Sequence, residues 1–326
     1  MKRLDHYWYS NNPVSLALLP LAWLFCALVE LRRQCYRLNL CRAYNPPVPL
    51  IVVGNISVGG TGKTPLVLAL LELLQRQGIR PGVVSRGYGG KAASWPQTVS
   101  GDSDPALVGD EPVLIAQRSG CPMVVGPDRV AAVQHLLSGH DIDVIVSDDG
   151  LQHYRLGRTV EIAVIDGLRR FGNGRCLPAG PLRERQGRLG SVDLRITNGV
   201  PRPGECTLKL VLDQVVPLHD GGGEALSAWQ GRRVHAVAGI GHPQRFFDML
   251  REQGLEVVEH PYADHHAYRA GELAFDDDLP VLMTEKDAVK YRAFAGDKHW
   301  YVPAIAEVSQ AFTDRLLGLI KRKENG

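Results

Sequence analysis

Several features that define other classes of protein are missing from this 326-residue chain. It has no internal repeat and no low-complexity tract, and its 44% hydrophobic and 22% charged residues are typical of a folded protein rather than a disordered one. The formal net charge is only +2, so no overall attraction toward nucleic acid is expected. We therefore predict no nucleic-acid partner, and a chain long enough for two domains with separate cores. No obligate protein partner is evident.

The chain also lacks paired cysteine motifs. Its cysteines form no C-x-x-C pair and no zinc-type spacing. They are Cys26, Cys35, Cys41, Cys121, Cys176 and Cys206. This usage predicts a reducing compartment, thiols that are mostly packing residues, and cytoplasmic exposure of the bulk of the chain.

An apolar run long enough to cross a bilayer comfortably is absent near the N-terminus. The uncharged stretch 14–29 has 16 residues, fewer than the ~20 that a span requires, and Pro20 interrupts it. Basic residues follow it at Arg32, Arg33, Arg37 and Arg42. We predict a helix that lies in the membrane interface with these residues on anionic headgroups, the alternative being a buried core helix. No small-residue cleavage site follows, which argues against a removable signal peptide.

The most informative motif present is a glycine-rich loop between the apolar run 48–53 and the helical pattern 65–77. It consists of Ser57, Val58, Gly59, Gly60, Thr61, Gly62, Lys63 and Thr64. In such a P-loop the backbone N–H groups surround phosphate oxygens, Lys63 supplies a charge to the β and γ phosphates, and Thr64 offers a hydroxyl to Mg²⁺. Ser57 stands where the general motif has glycine, and an ordinary glycine-rich turn is the alternative. We predict nucleotide binding.

Apolar runs alternate with helical patterns beyond this loop, which predicts a parallel sheet with helices on both faces. The strands predicted for this first unit are 81–85, 123–125, 144–147, 162–166 and 194–197. Turn residues at 201–204 and 220–223 flank an extended segment, and a second α/β pattern follows. We therefore predict an N-terminal region 1–45, a P-loop domain 46–205 and a smaller α/β domain 206–326.

Two adjacent carboxylates follow the predicted strand 144–147. Asp148 and Asp149 stand where a Walker B carboxylate belongs and are suited to hold Mg²⁺, although a surface turn is the alternative. Gln152 and His153 add polar side chains beside them. Because ligands bind at the carboxyl ends of parallel strands, these residues are candidates for the active site.

Other strand ends carry further candidates. Arg86 and Tyr88 lie in a glycine-rich loop after strand 81–85, placed to meet a phosphate or sugar of an acceptor, unless Arg86 is merely solvated. Asp110 begins a predicted helix, where capping is the default role, yet it is also a suitable base for a hydroxyl group. Arg183 and Glu184 follow a proline-rich loop, and Arg183 is suited either to neutralise a transferring phosphoryl group or to form a salt bridge.

The second predicted domain contributes two candidate groups. His265, backed by Asp264, is either an oriented acid or base or a structural residue. No further ligand at zinc spacing accompanies it. Thr284, Glu285, Lys286 and Asp287 are similar to the guanine-reading N-K-x-D motif, although helix capping by Thr284 explains them almost as well.

Taken in order, these segments resemble the tetraacyldisaccharide 4'-kinases, which phosphorylate a lipid A precursor. The resemblance covers almost the whole chain and rests on the segments 57–65, 85–89, 109–112, 148–153, 171–174, 177–184 and 284–287. It implies a membrane-associated P-loop kinase with two α/β domains joined by a two-stranded linker, MgATP, and an acylated disaccharide 1-phosphate acceptor at the cytoplasmic face of the inner membrane.

The resemblance also assigns roles to individual residues. It makes Asp110 the expected catalytic base with His265 and Asp264 as its helpers, and Asp148 and Asp149 the carboxylates that organise metal and phosphate. Lys63 and Thr64 keep the roles argued above. Further contacts with the acceptor or within the site are expected from Arg183, Glu184, Arg86, Tyr88, Gln152 and His153.

Two alternatives belong to other functional classes. A P-loop switch or metal-delivery GTPase would share Lys63, Thr64 and Asp149 and would read guanine with Lys286 and Asp287. A membrane scaffold with ATPase activity would keep the anchor and the P-loop but tolerate the loss of Asp110.

Overall fold

The computed structural model describes residues 4–219 and 221–324. Its strands, numbered in chain order, are β1 Leu50–Gly54, β2 Pro81–Ser85, β3 Gln97–Val99, β4 Met123–Val125, β5 Val144–Ser147, β6 Val160–Asp166, β7 Leu194–Asn198, β8 Cys206–Val211, β9 Gln214–Pro217, β10 Glu224–Ala225, β11 Arg233–Ala238, β12 Glu256–Pro261, β13 Val281–Thr284, β14 His299–Val302 and β15 Ile305–Val308. The α-helices are α1 Pro13–Ala17, α2 Leu19–Arg37, α3 Lys63–Arg76, α4 Pro105–Val108, α5 Asp110–Ser119, α6 Arg129–Gly139, α7 Pro243–Glu252, α8 Glu285–Tyr291 and α9 Gln310–Glu324.

The larger sheet has the strand order β15-β8-β7-β6-β1-β5-β2-β4-β3 among the described residues. Its seven central strands run parallel, and β15 and β3 join the two edges antiparallel. Parallel neighbours require crossovers, which the helices between these strands provide. The predicted α/β class and parallel P-loop sheet are therefore confirmed, with an antiparallel strand added at each edge.

Both faces of this sheet are covered. Along β1, Ile51 and Val53 pack into one cluster with α3, α5 and α9, whereas Leu50 and Val52 pack into the opposite cluster with α6 and α2. Alternating side chains of a strand point to opposite faces, so a run of apolar residues is buried throughout. In α3, buried leucines and a valine recur at helical spacing, at positions 66, 67, 70, 71 and 74.

The smaller sheet has the order β10-β9-β14-β13-β11-β12 within the described residues. Strands β11 to β14 run parallel to one another, and β9 pairs antiparallel with β14. Its core holds Trp229, Phe246 and Phe247 on one side, and Tyr268 and Tyr291 on the other. The predicted second α/β unit is present.

The point at which the chain leaves the larger sheet does not coincide with the predicted domain boundary at 206. Strand β8 pairs parallel with β7 in the larger sheet, and the chain passes to the smaller sheet only at β9. It later returns, since β15 pairs antiparallel with β8 and α9 packs Phe312 and Leu316 into the larger core. The division into 46–205 and 206–326 stays a prediction, while the β8–β15 pair corresponds to the two-stranded linker that the resemblance implies.

The N-terminal region forms two consecutive helices that lie on the larger domain. Helix α2 buries Ala22 and Cys26. Its opposite side leaves large apolar side chains more than half exposed at Leu21, Trp23, Leu24, Leu28 and Leu31. A helix buried on one side only is not a core helix, so that alternative is wrong. No helix among the described residues combines the length and the apolar character that a membrane span requires.

A disulfide joins this region to the larger domain. Cys26 of α2 is bonded to Cys176, which lies 150 residues further along the chain. The expectation that the cysteines are mostly packing thiols is therefore wrong for this pair. The remaining cysteines are free, and Cys121 among them is buried.

Candidate active site

The P-loop joins the end of β1 to the start of α3, as predicted. Gly59 and Gly62 adopt the left-handed region with φ of 106° and 94°, which favours glycine. The side-chain amides of two buried asparagines donate hydrogen bonds to Thr61 of the loop. Asn55 Nδ2 donates to Thr61 Oγ1 at 3.3 Å, and Asn198 Nδ2 donates to the Thr61 carbonyl at 3.3 Å. Helix α3 begins at Lys63, so its unpaired N–H groups face the loop and favour an anion.

The second domain reaches the same loop. Arg169, in the segment after β6, donates to the Gly60 carbonyl at 3.0 Å and to the Gly241 carbonyl at 3.3 Å. A Cβ atom on Gly241 would lie only 2.8 Å from the Gly60 nitrogen. Arg245 of α7 adds an ion pair with buried Asp166 at 3.0 Å. Both sheets therefore bring the carboxyl ends of their parallel strands to one interface, with the P-loop at its edge.

Lys63 and Arg183 converge on one carboxylate. Lys63 Nζ lies 3.6 Å from Asp149 Oδ1, and Arg183 Nη1 lies 2.9 Å from both Asp149 oxygens. Burial opposes the ionisation of Asp149, but these two cations outweigh it and lower its pKa to about 2. The salt bridge considered for Arg183 is thus present, and it lies beside the P-loop lysine.

Asp148 has the opposite environment. Its side chain is buried, Ser85 Oγ donates to Oδ2 at 3.3 Å, and Oδ1 has no hydrogen-bond partner. Burial, together with the charges of Glu111 and Asp149, raises the pKa of Asp148 to about 7. An unpaired buried carboxylate oxygen next to an ionised carboxylate is well suited to a hard cation. No cluster of three or more metal-ligating side chains occurs among the described residues, and Mg²⁺ commonly takes its other ligands from phosphate and water.

Asp110 and His265 meet across the domain interface. Asp110 is the first residue of α5 and is 5% exposed, and His265 Nδ1 lies 3.0 and 3.1 Å from its two carboxylate oxygens. Burial opposes the ionisation of Asp110, but the His265 hydrogen bond and the Lys286 charge lower its pKa overall. Burial also opposes the charging of His265, and Asp110 outweighs it, so the pKa of His265 is raised. The sequence placed these residues 155 positions apart, and the fold brings them into contact.

The loop after β2 lies beside this pair. The Tyr88 ring centroid is 5.1 Å from that of His265, and the Tyr88 side chain is 63% exposed. Arg86 is exposed at the end of the same strand. Both predicted acceptor contacts are therefore open to solvent at the interface.

Glu184 does not reach that open side. It is 3% exposed and accepts hydrogen bonds from Gln152 Nε2 at 2.7 Å and from Tyr154 Oη. Arg188 Nε lies 3.6 Å from it. Gln152 also donates to the Asn55 carbonyl at 3.0 Å, so this buried network supports the start of the P-loop. Burial and nearby arginines lower the pKa of His153 to about 4, which keeps it neutral at pH 7.

The segment after β13 caps a helix. Thr284 Oγ1 accepts from Asp287 N at 3.2 Å, and the fully buried Asp287 carboxylate accepts from Gly239 N at 2.8 Å. Asp287 is thus committed to the protein interior, and the guanine-reading interpretation is not supported. Lys286 instead lies between Glu111 and Asp264, at 3.0 and 3.1 Å.

Several site residues escaped the sequence reasoning. Asn55, Arg169, Asn198 and Gly241 belong to no motif that was singled out. Each of them follows or ends a parallel strand at the carboxyl edge of a sheet. The rule that ligands bind at this edge therefore identifies them from the sequence once the strands are predicted.

This combination of fold and site defines a P-loop phosphotransferase. The loop and the start of α3 form a site suited to an anion. Asp110, in the same domain, is a buried carboxylate suited to accept a proton, and His265 contacts it from the smaller domain. Group transfer to a hydroxyl needs both functions within one cleft.

Comparison with known proteins identifies the particular group. The chain belongs to the LpxK family, tetraacyldisaccharide-1-P 4'-kinase, whose family model matches residues 14–321. A tetraacyldisaccharide 4'-kinase of Nitrosococcus oceani is 51% identical over 316 residues, which cover 97% of this chain and 94% of that protein. One of Alkalilimnicola ehrlichii is 51% identical over 325 residues, which cover 99% and 98%. The predicted family and the predicted kinase class are confirmed.

The fold is shared with a solved structure. An LpxK of Aquifex aeolicus, described as an "apo" form in complex with ATP, matches with a TM-score of 0.80 at 24% identity, covering 94% of this chain and 99% of that one. The likeness extends over both sheets.

Proposed function

We propose that this chain transfers the γ-phosphoryl group of ATP to the 4'-hydroxyl of a tetraacyldisaccharide 1-phosphate, forming the lipid A precursor lipid IVA for lipopolysaccharide biosynthesis. The names of its relatives support the acceptor, and the ATP complex of the Aquifex protein supports the nucleotide. The observation that carries the proposal is the Asp110–His265 contact, in which a histidine of the smaller domain reaches a buried carboxylate of the domain that holds the P-loop.

Asp110 accepts the proton of the acceptor hydroxyl as its oxygen attacks the γ-phosphorus, and ADP leaves with the broken phosphoanhydride bond. His265 orients the Asp110 carboxylate through Nδ1. A base of this kind contributes roughly 10²–10⁴-fold to the rate. Lys63 and Arg183, which both contact Asp149, neutralise charge on the phosphates.

Thr64, Asp148 and Asp149 are the residues that would hold Mg²⁺. Mg²⁺ prefers oxygen ligands, and the adjacent carboxylates of Asp148 and Asp149 supply them, including Asp148 Oδ1, which has no hydrogen-bond partner. The ion would supply electrostatic stabilisation of charge on the transferring group. The P-loop residues from Ser57 to Thr64 would bind the phosphates of ATP.

We further propose that α2 rests on the cytoplasmic face of the inner membrane. Its exposed leucines lie on the side away from the protein, and Arg32 and Arg37 follow them. Arg33, predicted to lie on headgroups, instead pairs with Glu30 and is 13% exposed. This arrangement suits an interfacial helix that brings the site to an acyl-anchored substrate.

The test is transfer of label from γ-labelled MgATP to a detergent-solubilised tetraacyldisaccharide 1-phosphate. Native protein should label the acceptor, Lys63→Ala should not, and Lys298→Ala, a change of an exposed lysine that pairs with Asp278, serves as the matched control. Nucleotide hydrolysis that is indifferent to the acceptor, or a preference for GTP, would overturn the proposal.

A further inference from the structure

Lys286 occupies a position that the kinase reaction as described does not explain. Its side chain is 13% exposed, and its ammonium group contacts three acceptors from both domains. These are Glu111 Oε1 at 3.0 Å, Asp264 Oδ1 at 3.1 Å and His265 Nε2 at 3.4 Å. An ammonium group has three N–H donors, so each of them has one partner here.

The contact with His265 determines where the imidazole proton lies. An ammonium group cannot accept a hydrogen bond, so the His265 Nε2 that faces Lys286 must be the acceptor and must carry no proton. The single proton of the neutral ring is then on Nδ1, where it is donated to Asp110 at 3.0 Å. Asp110 receives a neutral N–H donor and remains an ionised carboxylate.

We propose that Lys286 is a positioning residue that holds His265 as the neutral, Nδ1-protonated tautomer and so keeps Asp110 available as the base. This inference rests on the proposed function only in the role given to Asp110. Without Lys286, Nε2 is free to take a proton, and the resulting imidazolium paired with Asp110 makes that carboxylate a weaker base.

The charges around His265 act in opposite directions. Asp110 of α5 and the adjacent Asp264 favour a charged ring, whereas burial and Lys286 oppose it. Glu111, also of α5, pairs with Lys286. Tyr88 packs against the ring at 5.1 Å. Lys290 lies 3.9 Å from Asp110 but forms its closer ion pair with Asp287 at 2.7 Å. It therefore supplies positive charge near the base without a described hydrogen bond to the ring.

Nitrogen-15 NMR of the histidine rings in the native full-length protein tests the tautomer directly. The His265 signals are assigned by their loss in His265→Gln. At pH 8 we expect an unprotonated Nε2 and a protonated Nδ1. A protonated Nε2 at that pH would overturn the proposal. No acceptor is needed, so this result is independent of whether the proposed lipid substrate is correct.

Two lysine variants separate the hydrogen bond from the charge. In Lys286→Met we expect a proton on Nε2, an acid limb of the kcat profile moved upward by about one pH unit, and kcat at pH 7 reduced by up to about tenfold, with the KM for ATP changed less than about twofold. Lys290→Met removes a neighbouring charge and should leave the tautomer as in the native protein. An unchanged tautomer in Lys286→Met, or the same ring signals in both variants, would overturn the proposal.

Discussion

Replacing the buried Asp148 by asparagine should stabilise this protein at alkaline pH. The carboxylate is 1% exposed and one of its oxygens has no hydrogen-bond partner. Burial and two neighbouring acids raise its pKa from 3.8 to about 7. The folded state therefore binds more protons than the unfolded state between these values, so stability falls as the pH rises through this window.

The size of the effect on stability follows from the pKa shift of Asp148. A shift of roughly three pKa units corresponds to about 4 kcal/mol against folding once the pH is above 7. An asparagine at position 148 avoids the buried charge, although its amide leaves part of its own hydrogen bonding unmet at a cost of about 1–3 kcal/mol. We expect Asp148→Asn to increase the free energy of unfolding by about 1–3 kcal/mol at pH 8, with kinase activity lost.

The assay is urea unfolding of the unliganded protein at pH 8 and pH 5. The advantage of Asp148→Asn should shrink as the pH falls, because the native carboxyl group becomes protonated. Asp149→Asn is the matched control with the opposite sign, since its pKa of about 2 reflects stabilising contacts that are lost only as the pH falls below its ordinary value of 3.8. With its side chain 30% exposed, we expect a loss of about 1–2 kcal/mol at pH 8. An Asp148→Asn protein no more stable than the native one at pH 8 would refute the reasoning.

Three further outcomes can be measured. Asp110→Asn should lower kcat by about 10²–10⁴-fold and leave the Kd for ATP unchanged, and an equal loss in both would rule out its role as base. Gly241→Ala should weaken nucleotide binding, since its Cβ would lie 2.8 Å from a P-loop nitrogen, whereas Gly222→Ala, with no atom within 4 Å, should bind normally in the same fluorescence titration. The double variant Leu24→Lys and Leu28→Lys should lose sedimentation with anionic vesicles while keeping its melting temperature; unchanged sedimentation would contradict an interfacial helix.

Local patterns predicted the central strands well. The segment 81–85 is predicted as a strand and forms β2 with the same bounds, because its short length and the β-branched Val83 and Val84 favour a buried strand over a helix. The P-loop was predictable for a similar reason, since its residues are consecutive and their order reflects one local structure.

Contacts between residues far apart in the sequence were harder to predict from local patterns. Nothing near Cys26 or Cys176 signals a disulfide between positions 150 residues apart. The burial of Glu184 depends on Tyr154 and Arg188, which no motif linked to it. Lys286 is singled out in the sequence only as part of a guanine-reading motif. Its actual partners, Glu111 and Asp264, belong to two other segments that come close to it only in the folded protein.

The path of the chain between the two sheets makes the smaller domain an insertion. Val211, the last residue of β8, stands directly opposite Ile305, the first residue of β15, in their antiparallel register. The two ends of the intervening segment 212–304 are therefore separated by about 5 Å, the distance between paired strands. A short hairpin turn can span that gap. The half of the chain that carries the P-loop, with α9 completing its core, is thus topologically whole without segment 212–304, and His265 reaches Asp110 from a single uninterrupted insertion.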